Sequence, residues 1–122
     1  MAFRRILRSL VATTHGALGA IFLDFEGETV EVVTERPLDA DDHDLKVIGA
    51  YQGIFLKRLR DIAARLPVGK PLRFKIEFDR LATLACDLKD GYYLVLVIDH
   101  EANEGVAWRR LESCRDQVLR EM

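Results

Sequence analysis

The sequence predicts an α+β domain in which helices cover both faces of a five-stranded antiparallel sheet. Three observations lead there. Apolar residues recur with a helical period at the start, middle and end of the chain. Between those stretches lie five short segments of strand character, bounded by glycine, proline and aspartate. Two of the five, residues 17–25 and 92–98, are apolar almost throughout, as strands covered on both faces must be.

The first helix rests on Phe3, Ile6, Leu7, Leu10 and Val11, spaced i, i+3, i+4, i+7, i+8. Gly16 stops it, because glycine takes the left-handed C′ conformation without strain. Arg4, Arg5 and Arg8 occupy its polar side, a short basic stripe that reads as a solvated face. Residues 17–25 then form a central strand, and Glu26-Gly27 turns the chain into Thr29–Thr34, which is β-branched and only partly apolar. Pro37 ends this second strand.

Asp39, Asp41, Asp42 and Asp44 precede the second helix. They lack the glycine and closing glutamate of a calcium loop, so they read as capping residues at the positive end of the helix dipole. That helix is expected from about Asp42 to Leu66, with Leu45, Ile48, Tyr51, Phe55, Leu59, Ile62 and Leu66 as its core stripe. The opposite side carries Lys46, Val47, Ala50, Gly53, Ile54, Lys57 and Ala64, flanked by Gly49 and Leu56. Glycine costs roughly 1 kcal/mol against alanine inside a helix. Gly49 and Gly53 beside Ala50 therefore imply close packing, either within the subunit or against a second one. Because the other stripe already supplies a core face, a subunit interface is the expectation.

After Pro67, Gly69 and Pro71, the third strand alternates strictly. Leu72, Phe74, Ile76 and Phe78 face one way and Arg73, Lys75 and Glu77 the other, as on an edge strand. Leu81–Leu88 is the fourth strand, and Asp90-Gly91 makes a hairpin turn into the fifth. Asn103 caps the last helix, whose buried stripe is Ala107, Leu111, Cys114 and Val118, with Trp108 beside it. The order is α-β-β-α-β-β-β-α. Placing the two apolar strands side by side gives the sheet order 2-1-5-4-3.

Composition sets the limits of function. The 122 residues make one domain, 1–122, large enough to fold without a metal or disulfide staple. A net charge of −2 leaves no global footprint for nucleic acid. The longest apolar runs fall far short of the roughly 20 residues that span a bilayer, so no membrane insertion is expected. Arg4-Arg5 before Ile6-Leu7 imitates a secretory leader, but Arg8 breaks the apolar run at once. Two distant cysteines fit a reducing, cytoplasmic location.

Catalytic chemistry finds no foothold. His15, His43 and His100 lie apart without metal-ligand spacing, and Cys86 and Cys114 sit on apolar stretches where thiols are inert. Glu26 and Glu28 read as turn residues, there is no phosphate loop, and adjacent Tyr92 and Tyr93 point to opposite faces. No catalytic residue, metal or cofactor is expected.

Several local patterns converge on a family. The opening helix ends in His15-Gly16, followed by Ala17-Leu18-Gly19-Ala20-Ile21, Asp24 and the turn at Gly27. The last helix opens Ala102-Asn103-Glu104-Gly105-Val106-Ala107 and runs through Arg109 and Leu111. Across nearly its whole length the chain resembles the Roadblock / dynein light chain family, which includes MglB-type bacterial regulators of Ras-like GTPases. The resemblance implies a Roadblock/profilin-like fold and a dimer, of two copies or with a paralogue, in which the second helix and third strand meet their mates. Gly49, Ala50, Gly53, Arg73 and Lys75 would lie at that interface. It further implies a platform for a small Ras-like GTPase, with Lys46, Val47, Ile54, Lys57 and Asp61 as the exposed candidates. The glycine-bearing centre, Gly49-Ala50-Tyr51-Gln52-Gly53, departs from the family pattern. The expected function is a non-catalytic homodimeric regulator of such a GTPase. A scaffold subunit without effect on GTP turnover is the alternative, and a small-molecule sensor would require an enclosed pocket under the sheet.

Overall fold

The computed structural model describes residues 2–34 and 42–122, so Pro37, Asp39 and Asp41 lie outside the described residues. The elements are α1 (Ala2–Thr13), β1 (Ala17–Leu23), β2 (Thr29–Thr34), α2 (Asp42–Ala63), β3 (Arg73–Glu77), β4 (Ala82–Asp87), β5 (Tyr93–Ile98) and α3 (Glu104–Glu121). They form one five-stranded sheet in the order β2-β1-β5-β4-β3, antiparallel at every pairing. Element order, strand order and the central place of β1 and β5 are as predicted.

Alternation along the central strands divides the core into two layers. Ala20 and Phe22 of β1, with Leu94, Leu96 and Ile98 of β5, point to the face covered by α1 and α3. Ile21 and Leu23, with Tyr93, Val95 and Val97, point to the face covered by α2. Tyr92 and Tyr93 thus serve opposite layers. On the first face Ile6, Leu7, Leu10 and Val11 of α1 pack beside Ala107, Leu111, Cys114 and Val118 of α3, both stripes as the helical period predicts. The Asn103 side chain accepts a bond from the Val106 amide at 3.0 Å, closing the N-terminus of α3.

Two ends differ from expectation. β1 stops at Leu23, because the Asp24 carboxylate accepts the Glu26 and Glu28 amides and folds residues 24–28 into the turn. Glu26 and Glu28 are turn residues, exposed to solvent. α2 stops at Ala63, where Arg65 and Leu66 bond back three residues and tighten the last turn ahead of Pro67. The β4–β5 turn uses positive φ at both Asp90 and Gly91, 55° and 83°, as a type I′ hairpin demands.

The orientation of α2 is the main correction. Its inward line is Leu45, Gly49, Gln52, Gly53 and Leu56, all buried, while Tyr51, Phe55, Ile62 and Leu66 of the expected core stripe are exposed. Gly49 and Gly53, expected at a subunit interface, lie where α2 rests against its own sheet. A β-carbon on Gly49 would stand 3.1 Å from Leu23 Cδ2. One on Gly53 would collide with the Tyr93 hydroxyl and stand 2.9 Å from the Gly27 Cα. The glycines let the helix backbone settle onto β1 and Tyr93, and the bulky apolar residues are turned outward as a result.

Candidate partner-binding surface

At 3.6 residues per turn, the exposed half of α2 has a crest and two flanks. Val47 and Ile54 form the crest, and both are exposed. Tyr51, Phe55 and Ile62 form the flank toward β3, with relative exposures of 69%, 42% and 56%. Lys46, Ala50, Lys57 and Asp61 form the other flank, also exposed, and Lys46, Ala50 and Ile54 line an open groove against the turn at Gly27 and β2. The five residues expected to meet a partner thus share one continuous side of the helix. Ala50 lies on the β2 flank, away from β3.

β3 extends the apolar flank. Phe74 turns to the α2 face, and its ring meets Phe55 edge-on at 5.3 Å. Leu72 and Phe78 at either end of β3 are exposed, as are Leu66 and Val68 in the connection that leads to it. Exposed apolar side chains therefore occur on the outward face of α2 and on β3, with the Phe55–Phe74 contact joining the two elements. Monomeric soluble domains rarely present a patch of this kind.

β3 is also an open edge. Asp87 donates its amide to the Leu72 carbonyl, and Phe78 to that of Leu81, both at 2.8 Å. In an antiparallel pair the bonded positions alternate, so Leu72, Phe74, Ile76 and Phe78 bond to β4, while the main chain of Arg73, Lys75 and Glu77 faces outward. The side chains of Arg73 and Lys75, expected at an interface, are engaged with α3. Arg73 pairs with Glu112 at 2.7 Å and covers the Trp108 ring at 4.7 Å. Lys75 pairs with Glu104 and with Glu77. The Glu104 hydrogen bond, then that of Glu77, raises the Lys75 ammonium above its ordinary value, and the same contact lowers the Glu104 carboxyl. What β3 offers outward is main chain.

An unpredicted ion cluster steadies the far end of α2. Asp87, almost fully buried at the end of β4, accepts from Arg60 at 2.7 Å and pairs with Lys70 at 3.1 Å. Arg60 also donates to the Gly91 carbonyl, and Arg115 donates to that of Asp87. Sequence reasoning passed over these residues, since a charged residue at a strand end is ordinarily exposed.

Among the described residues no group of three or more His, Cys, Asp and Glu side chains could hold a metal ion. His15 is exposed, His43 falls in the first turn of α2, and the His100 ring meets the Asp79 carbonyl. Burial pushes the Cys86 and Cys114 thiols up to about 12, which keeps both protonated and unreactive. Among the described residues no helix is long and apolar enough to cross a membrane.

No family model matches the chain, and no curated protein does. Solved structures do. The fold superimposes on a Roadblock/LC7 domain from Streptomyces avermitilis with a TM-score of 0.82, 16% identity, and coverage of 94% of this chain and 92% of that one. Against Myxococcus xanthus MglB the TM-score is 0.85 at 11% identity, over 98% and 94% of the two chains. Against MglC from Myxococcus xanthus it is 0.69 at 24% identity, over the whole of both. Shared architecture at such identities comes from the layered sheet and its pattern of burial. The chain therefore has the Roadblock/LC7 fold, the fold of MglB.

Proposed function

We propose that this protein is a non-catalytic regulator that pairs with a second copy of itself through α2 and β3 and presents α2 to a small Ras-like GTPase, changing its nucleotide hydrolysis or its location. The observation that carries the reading is the apolar surface of Tyr51, Phe55 and Ile62 beside the open edge of β3. Two such surfaces related by a two-fold axis would cover each other, and the outward main chain of Arg73, Lys75 and Glu77 would pair across it. Val47 and Ile54 on the crest, with Lys46, Lys57 and Asp61 on the β2 flank, would remain open on the dimer. An apolar centre with charge at its rim is the composition of a transient partner site.

The fold likeness to MglB and the resemblance of the opening and closing segments to Roadblock proteins support the choice of a GTPase. The test is capture of small GTPases, loaded with a non-hydrolysable nucleotide, by the immobilised protein. Lys46→Glu/Lys57→Glu and Ile54→Asp variants should each lose capture while keeping the dimer. Unchanged capture would remove that face. Capture with no change in GTP hydrolysis or in GTPase placement in cells would favour the scaffold reading, which uses the same surface.

A further inference from the structure

We propose that the groove between α1 and α3 is a docking site for an acidic segment of a partner protein. It lies on the sheet face opposite α2 and does not depend on the GTPase reading. The groove is open to solvent, with a volume of about 480 Å³, and is lined by Ile6 and Leu10 together with Ser9, Thr13, Arg109 and Arg110. No residue lining it is acidic. Arg109 and Arg110 are the charged residues that line it, so the groove itself is positive in a chain whose net charge is −2. Arg4 is tied to Glu31 and Arg115 to the Asp87 carbonyl. Arg5, Arg109 and Arg110, by contrast, are exposed and have no carboxylate within salt-bridge distance among the described residues.

Guanidinium groups present a planar fork that receives a carboxylate through two parallel bonds. A segment with carboxylates at the height of Arg109 and Arg110, and an apolar residue or two reaching Ile6 and Leu10, complements the groove in charge and shape. A membrane surface fits less well. None of the large exposed apolar side chains lies on α1 or α3, so this face has nothing to insert into a bilayer.

The test is fluorescence anisotropy of a labelled glutamate–leucine peptide of about 12 residues, which as a helix rising ~1.5 Å per residue spans the groove. Titration with the full chain should give saturable, salt-sensitive binding. Arg109→Glu/Arg110→Glu should weaken it by about tenfold or more, roughly the effect of removing one well-made charge pair. Arg8→Glu changes a charge on the other side of α1 and should leave affinity within about threefold, as for an exposed charge outside the contact. Circular dichroism would confirm that both variants fold. Absence of saturable binding at low salt, or equal losses in the two variants, would overturn the proposal. So would arginine-dependent binding of phosphatidylserine vesicles in place of the peptide, which would give the groove to a lipid surface.

Discussion

The Tyr93 hydroxyl lies 3.4 Å from the Gly49 carbonyl oxygen, to which it donates, directly under the stretch of α2 that has no side chains to keep it away. The tyrosine is fully buried at the start of the central strand β5, and burial pushes its hydroxyl up to about 12. Its polar end needs a partner, and a helix backbone can supply one only if it approaches closely. Gly49 and Gly53 permit that approach. The helix is thereby fixed in rotation about its axis, which decides which residues it shows to solvent.

The first prediction follows from this contact. Gly53→Ala should destabilise the fold by about 1–3 kcal/mol, the usual cost of overpacking, despite alanine's better helix propensity. In a Tyr93→Phe background the hydroxyl that a β-carbon would meet is gone. The alanine should therefore cost measurably less there. Urea unfolding of the two single variants and the double variant gives the coupling, and strict additivity would contradict the packing described.

How far the sequence could be read follows from the same residues. Strand order was legible because strands 1 and 5 declare their burial through unbroken apolar runs, and α1 and α3 through stripes of Leu, Ile and Val. α2 misled because hydropathy measures what a side chain contributes, and glycine contributes nothing. Two glycines and a buried Gln52, which donates to Thr83 at 2.9 Å, make an inward face that looks polar or empty in the sequence. The apolar side chains that face outward look like core. Their surplus was the available signal: a helix apolar on one side and small on the other has two faces that need partners. Residues on the outer half, Lys46, Val47, Ile54, Lys57 and Asp61, were legible as surface and β3 as an edge strand, whereas the engagement of the Arg73 and Lys75 side chains with Glu112 and Glu104 of α3 was not, since it depends on how α3 lies across the sheet.

The Asp87 cluster gives a second prediction. Arg60→Ala would leave a nearly buried carboxylate with Lys70, itself largely exposed, as its remaining cation. Losing one partner of a buried pair commonly costs 3–5 kcal/mol, and with Lys70 still present a loss on the order of 2 kcal/mol is expected. Arg60→Ala/Asp87→Asn should recover part of it, because the uncompensated charge is gone. A double variant no more stable than Arg60→Ala would argue that Arg60 acts through packing alone.

Stability should also decline in alkali. Cys86 and Cys114, ordinarily near 9.0, and Tyr93, ordinarily near 10.0, all stand at about 12 in the folded chain. A group whose folded value is raised holds its proton in the native state after the unfolded chain has released it. Their contribution is therefore complete below pH 9 and is lost as pH climbs toward 12. Urea midpoints should fall across that interval, less steeply in Cys114→Ala, and both thiols should resist alkylation at pH 8 until the protein unfolds. Rapid alkylation of the native protein would show that the thiols are not held in the layers described.

The last prediction separates packing inside the subunit from packing between subunits. Tyr51 and Phe55 are exposed beside β3, and replacing them removes no buried side chain, only the edge-on contact of Phe55 with Phe74. Tyr51→Glu/Phe55→Glu should retain the helical signal and thermal stability of the isolated subunit while opposing pairing, since two carboxylates from each copy would be brought together on the two-fold axis. Light scattering should give about 28 kDa for the original chain, twice its 13.9 kDa, and a monomer for the variant. Gly53→Glu should instead yield misfolded protein, because its side chain has no room against Tyr93. A folded, monomeric Gly53→Glu protein would put the glycine face back at the interface. A dimer that survives Tyr51→Glu/Phe55→Glu would move self-association to another face, and with it the reason for reading α2 as a shared platform.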